Sequence, residues 1–266
     1  MTQTTFNTIE YIVNQGLATL ILNRPDRLNS FNSEMHDEVK QAFKNIKEDA
    51  EVRCLLITGA GRGFCAGQDL SDRSVSVGDE APDLSVSVEK NYNPLIRNIT
   101  SLEMPVICAV NGVAAGAGAN IALACDLVIA AKSASFIQSF NKLGLIPDSG
   151  GTWVLPRLIG QARALKLTLL GEKVSAEEAL LMGMIAQVSE DEELMKDAES
   201  LGLQLAKGPT KGLGLIKRAI RASSNNSLEE QLELEKQCMG IAGRSDDYRE
   251  GVAAFMEKRE PNYKGK

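Results

Sequence analysis

Three stretches of this chain join small residues to a polar group in arrangements that can do chemistry. Phe64-Cys-Ala-Gly-Gln-Asp-Leu follows a glycine-rich run, Gly59-Ala-Gly-Arg-Gly. Small residues there let another molecule approach the main chain closely. Asn111-Gly-Val-Ala-Ala-Gly-Ala-Gly-Ala-Asn opens what reads as a helix, whose free N–H groups and positive dipole end favour an anion. Two such loops after neighbouring parallel strands can set two N–H donors around one oxygen, the geometry of an oxyanion hole. Tight packing of strand, loop and helix explains the same composition equally well. The third stretch is Leu143-Gly-Leu-Ile-Pro-Asp-Ser-Gly-Gly-Thr. Asp148 within it has two readings. It caps the apolar helix that contains Trp153 and Leu155, or it is a carboxylate in apolar surroundings whose raised pKa makes it a proton carrier.

Other chemistries are excluded by what is missing. Phe64 stands where a dinucleotide fingerprint needs its third glycine, and the chain continues as loop rather than entering a helix. There is no Walker A sequence and no Gly-x-Ser-x-Gly elbow. His36 is the single histidine. It is expected to be a partly exposed helix residue beside Asp37 and Glu38, which removes Ser-His-Asp and Cys-His catalysis. The five cysteines (Cys54, Cys65, Cys108, Cys125, Cys238) are scattered and read as buried free thiols of a reducing cytosol; no metal site is expected. A net charge of -6 argues against nucleic acid as a partner but leaves room for one phosphorylated small molecule. The first residues lack a basic-then-apolar leader, and no apolar run reaches the ~18 residues of a membrane span. A cytoplasmic protein without a membrane partner is expected.

The elements that must position these residues are legible in outline. Residues 11–13 and 18–22 flank Asn14-Gln15-Gly16 and predict a hairpin. Met35, Val39, Ala42, Phe43, Ile46 and Ala50 share one face of a helix capped by Asn32 or Ser33. Residues 54–58, 106–110 and 127–131 are short apolar runs, two of them ending in glycine loops, which predicts parallel strands with crossovers. Residues 71–87 are polar and read as a mobile loop over the site. From about Gln161 the chain reads as almost wholly helical, with helix starts at Ser175-Ala-Glu-Glu and Ser227-Leu-Glu-Glu.

The three stretches do not stand alone. With Asn23-Arg-Pro-Asp-Arg-Leu-Asn-Ser-Phe before them, Cys125-Asp126 among them and Phe255-Met-Glu-Lys-Arg-Glu-Pro near the end, they resemble the enoyl-CoA hydratase/isomerase (crotonase) superfamily over nearly the whole chain. The resemblance implies an α/β fold: a ClpP-like spiral of ββα units that binds acyl-CoA (residues 1–188) and a helical C-terminal region for oligomerisation and site completion (residues 189–266). It implies that the N–H groups of Ala66 and Ala117 hold the thioester carbonyl. Coenzyme A, which is part of the substrate rather than a cofactor, would run past Arg27, Leu28, Cys65, Gly67, Gln68, Asp69 and Leu70. Gly116 and Phe140 would also line the site. Phe255 and Lys258 would approach the adenine and phosphates, from this or a neighbouring subunit. A homotrimer or hexamer is implied, with a related hydratase as an alternative partner.

Departures from the family pattern narrow the reaction. Hydratases carry two glutamates at positions that are here Asn120 and Phe140, neither of which handles protons. Asp148 stands where isomerase members and aryl-CoA dehalogenases carry an aspartate. Dehalogenases also need a histidine on the loop after the first oxyanion motif, and this chain has none there. The implied reaction is an isomerisation: Asp148 takes a proton from the acyl chain, two N–H donors stabilise the enolate, and the proton returns at another carbon. Each donor is worth ~3–4 kcal/mol in such a transition state, and a positioned base a further ~10²–10⁴-fold. Gly-Arg-Gly-Phe-Cys-Ala-Gly-Gln-Asp-Leu and residues 243–252 most resemble isomerases of phenylacetate degradation, which convert ring-1,2-epoxyphenylacetyl-CoA to oxepin-CoA and also shift enoyl-CoA double bonds. The alternatives are an enoyl-CoA hydratase using Asp148 with a bound water, a fatty-acid delta3-delta2-enoyl-CoA isomerase, and a non-catalytic acyl-CoA-binding partner.

Overall fold

A computed structural model describes residues 6–73 and 83–266. The first alternating stretch forms β1 (Ile9–Asn14) and β2 (Leu17–Leu22), paired antiparallel with Ile9 opposite Leu22. The turn residues Gln15 and Gly16 both have positive φ, 50° and 82°, the backbone that matches strand twist in a two-residue hairpin. Asn32 caps α1 (Ser33–Glu48) by accepting the Met35 N–H at 2.9 Å. The expected apolar face is buried, and His36 is buried with it, at 5% exposure. This corrects the expectation of a partly exposed histidine. The buried stripe of a core-facing helix is wide enough to take in the residue beside Met35. The imidazole lies 4.8 Å from the Phe31 ring and 4.7 Å from the Tyr92 ring.

From here the chain lays down strands in pairs. β3 (Cys54–Gly59) is followed by β4 (Gly63–Cys65). After residues 74–82, α2 (Leu84–Ser87) leads through a π-helical turn, Val88–Tyr92, into α3 (Asn93–Ser101). Then come β5 (Val106–Val110), β6 (Val113–Ala115), α4 (Ala117–Ala124), β7 (Leu127–Ala131) and β8 (Ser135–Ile137). The first strand of each pair joins one sheet and the second joins another. With β9 (Lys173–Ser175) and β10 (Gln187–Ser189), the sheet orders are β1-β2-β3-β5-β7-β10 and β4-β6-β8-β9. From β2 to β10 every pairing of the larger sheet is parallel. Its central strands, β3 and β5, are buried throughout and mostly apolar because both faces are covered. This is the expected α/β spiral of ββα units. Most of the expected loop at residues 71–87 lies outside the described residues, which show only a 3₁₀ turn at Leu70–Arg73 and α2.

The remaining helices are α5 (Gly151–Ile159), α6 (Gln161–Leu170), α7 (Ala176–Leu181), α8 (Leu194–Lys207), α9 (Thr210–Ser223), α10 (Leu228–Ala242) and α11 (Asp246–Glu257). Capping boxes form at Ser175–Glu178 and Ser227–Glu230 as the spacing predicts. The expectation of an almost wholly helical chain after Gln161 missed β9 and β10. Each has three residues, too few for a periodic pattern, and each forms because an open edge of β8 or β7 is there to pair with. α8 lies on the larger sheet through small residues, Ala198, Gly202 and Ala206. No helix among the described residues is long and apolar enough to cross a membrane. All five thiols are buried and free, and burial pushes those of Cys54 and Cys65 up to about 12.

Candidate active site

The site is assembled from the ends of the short strands. β4 runs parallel to β6 with an irregularity at Phe64, Gly63 facing Val113 and Cys65 facing Ala114. An extra residue of this kind redirects the chain. It then passes beside Phe31: the Phe31 N–H donates to Gly67 O (2.7 Å) and the Asp69 N–H to Phe31 O (2.8 Å), a single parallel bridge between Phe31 and Gln68. In that pairing the Gln68 N–H points away from Phe31, and it meets no acceptor among the described residues. The Ala66 N–H is not available. It donates to Leu28 O at 2.9 Å, inside the fold. The expected donor role of Ala66 is therefore corrected, and Gln68 is the residue whose N–H is open.

Gly67 has φ +90°, and a methyl group there would lie 3.0 Å from Ala115 O and 3.3 Å from Ala117 N. Only glycine lets this loop press against the start of α4. At that start Gly116 is the N-cap and offers no side chain; its own N–H donates to Ile137 O at 2.9 Å. Ala117 is the first helical residue, so its N–H has no partner within the helix. Two open N–H groups, Gln68 and Ala117, thus come from chain segments in direct contact. Every residue of α4 is buried, which explains its run of alanine and glycine. Phe140, 9% exposed, forms an apolar wall 3.8 Å from where a side chain on Gly116 would begin.

Asp148 sits in a tight reversal held against α4. Its carbonyl oxygen accepts from Gly151 N (2.9 Å) and from Asn120 Nδ2 (2.8 Å), and the Ser149 hydroxyl donates to Asp148 Oδ1 at 2.9 Å. Ser149 and Gly150 both have positive φ, 51° and 74°. The N-cap position of α5 belongs to Gly150, so the capping reading of Asp148 does not describe its place. Its side chain is half-buried beside the exposed apolar residues Leu143, Leu145 and Ile146.

Leu28, with φ 48°, packs against Gly63. Cys65 is fully buried, its Sγ accepting the Gly67 N–H at 3.4 Å. The Gln68 side chain is anchored three ways: Oε1 accepts from the Tyr92 hydroxyl at 2.9 Å, and Nε2 donates to Phe31 O at 3.0 Å and Asp69 O at 3.2 Å. The Asp69 carboxylate is directed into the fold, on the Ser71 N–H and hydroxyl and on Arg24 at 2.9 Å. The Ser71 bond first, and then the Arg24 guanidinium, hold its carboxyl below the usual range. Leu28, Cys65, Gly67, Gln68, Gly116, Ala117, Phe140 and Asp148 are thus brought together. Arg27 and Leu70 are exposed, as are Phe255 on α11 and Lys258, the residue that caps its end. Sequence reasoning did not foresee the hydrogen bonds that Asn120, Gln138, Ser149 and Tyr92 make here. The run of turn residues after Asp148 was the one available signal. A separate cavity of ≈ 720 Å³ lies between α3, α9 and α10; two of its cations, Lys217 and Arg221, are tied to Asp126 at 2.8 and 2.7 Å, and it holds no part of this cluster.

Crossed ββα units carrying backbone N–H donors at a helix start, with the Asp148 turn held against that helix, define a class that comparison with known proteins names. The chain belongs to the enoyl-CoA hydratase/isomerase family, whose model matches residues 13–266. It is an enzyme of the acyl-CoA isomerase/hydratase type. Among its relatives is the 1,2-epoxyphenylacetyl-CoA isomerase of Escherichia coli K12, 59% identical over 254 residues, covering 96% of this chain and 97% of that one. The crotonyl-CoA hydratase of Syntrophomonas wolfei is 34% identical, covering 94% and 95%. The enoyl-CoA hydratase structure from Bacillus anthracis superposes with a TM-score of 0.92 at 34% identity, covering 98% of this chain and 100% of that one.

Proposed function

We propose that this enzyme isomerises coenzyme A thioesters, with Asp148 as the proton carrier and the N–H groups of Gln68 and Ala117 holding the thioester oxygen. The observation that carries the reading is Asp148, a carboxylate-bearing residue tied through Asn120 to α4, the helix whose first N–H is open. The family's other two proton-handling positions hold Asn120, fully buried and hydrogen-bonded, and Phe140, an apolar wall. For a double-bond shift, the carboxylate removes a proton from the acyl chain and negative charge moves to the thioester oxygen. Charge there is stabilised by donors already in place. The protonated carboxyl then returns the proton to a different carbon, so nothing is gained or lost overall.

The substrate we propose is a ring-1,2-epoxyphenylacetyl thioester converted to its oxepin isomer, on the likeness to the Escherichia coli isomerase, with enoyl thioesters as secondary substrates. Asp148 would there assist the ring rearrangement electrostatically and by proton transfer. Residues 189–266 we assign to self-assembly as a trimer or hexamer, with Phe255 and Lys258 reaching the coenzyme A of this or a neighbouring copy. α8, inside that segment, also covers the larger sheet. The test is a panel of epoxyphenylacetyl-CoA, 3-enoyl-CoA and crotonyl-CoA read by mass spectrometry and absorbance. Isomers of unchanged mass are expected from the first two. A product heavier by one water as the main outcome would replace this reading with a hydratase.

A further inference from the structure

Both ends of the buried Asn120 amide are hydrogen-bonded. Its Nδ2 donates to Asp148 O at 2.8 Å, and its Oδ1 accepts from Gln138 Nε2, also at 2.8 Å. Asn120 is 0% exposed and Gln138 4% exposed. The Asp148 carbonyl can only accept, so it fixes the Asn120 nitrogen toward the turn and leaves Oδ1 to accept from Gln138; Gln138 Oε1 meets no donor among the described residues. The fit is tight on the other side as well. A methyl group on Gly151 would lie 2.3 Å from Asn120 Nδ2, so the Asp148 turn closes directly over this side chain. The turn it holds contains Ser149 at φ 51°, a conformation that costs a non-glycine residue free energy and persists only where neighbours enforce it.

We propose that Asn120, backed by a hydrogen bond from Gln138, is a positioning residue for the reaction: it fixes the Asp148 turn to α4, the same helix whose first N–H, at Ala117, holds the thioester oxygen. The donor and the proton carrier are thereby set on one rigid element. A glutamine or asparagine merely filling space would not need this directed chain of two bonds. The inference rests on the reading of Asp148 as proton carrier.

The test is a double-mutant cycle on the intact enzyme with a 3-enoyl-CoA thioester, using Asn120→Ala, Asp148→Asn and the pair together, with KM and kcat measured separately. Misplacing a reacting group by an ångström costs ~10²-fold, so Asn120→Ala is expected to lower kcat by about that factor while KM changes little. The double variant is expected to be no slower than Asp148→Asn alone, because the lost positioning has nothing left to position. Gln138→Leu, which removes the bond that holds Asn120 Oδ1 from behind, is expected to reproduce the kcat loss in part, and it carries the same cycle should Asn120→Ala fail to fold. Wild-type kcat in a folded Asn120→Ala enzyme, or losses that multiply in the double variant, would overturn the inference while leaving Asp148 in its role. Full activity of Asp148→Asn alone would instead overturn the underlying reading.

Discussion

At the scale of single residues, the site depends on which N–H groups the backbone leaves open. The Phe64-Cys-Ala-Gly-Gln-Asp stretch is recognisable from its sequence, but the position of its donor is not. That is decided by pairing with Phe31, far away in the chain, which turns the Gln68 N–H outward, and by Leu28 O, which takes the Ala66 N–H. The second donor can be removed by proline, whose Cδ also intrudes on the space in front of the lost N–H. Ala117 occupies the first position of α4, where proline is tolerated, and the preceding Gly116, at φ 53° and ψ -126°, is free of the Cβ that crowds a following proline. Ala117→Pro is expected to keep its fold by circular dichroism and to lose about 10²–10³ in kcat, the usual cost of one oxyanion donor. The thiols behave in the opposite sense, as bystanders. Cys65, raised to about 12 by burial, stays protonated at working pH, so iodoacetamide at pH 8 should label it only after unfolding, as mass spectrometry of digested peptides would show.

At the scale of elements, the loop before α1 and the segment after β4 are tied together by Arg24 and Asp69. Replacing Asp69 with Asn should lower the unfolding free energy by about 1.5–3 kcal/mol, the range for hydrogen bonds to a charged group, measured by urea titration. Asp69 has a lowered carboxyl pKa in the folded state. Its contribution is therefore fully present above the unfolded value, near ~3.9, and is lost as pH falls through the lower folded value. The wild type should lose more stability than the Asn variant between pH 5 and pH 2. Much at this scale was legible in the sequence. The hairpin, α1 and the three apolar strands follow from periods of 2 and 3.6 and from their turn residues. Strands β4, β6, β8, β9 and β10 were not, because three-residue strands carry no period and exist only where a neighbouring edge completes them. His36 was misplaced for a related reason: its burial is decided by Phe31 and Tyr92, which no local pattern connects to it.

At the scale of the molecule, the last three helices leave much apolar surface uncovered. Ile220, Leu228, Met239, Phe255 and Met256 are all well exposed in the single chain. Self-assembly through α9, α10 and α11 should appear as a trimer or hexamer in light scattering, and Phe255→Ala should raise KM for the thioester with little change in kcat if that ring reaches coenzyme A. The central claim, however, concerns one carboxylate. It is tested most directly by measuring kcat of Asp148→Asn on a 3-enoyl-CoA thioester beside its calorimetric binding of coenzyme A. A loss of about 10²–10⁴-fold in turnover with binding and melting temperature unchanged is the predicted result. Turnover at the wild-type rate would contradict it.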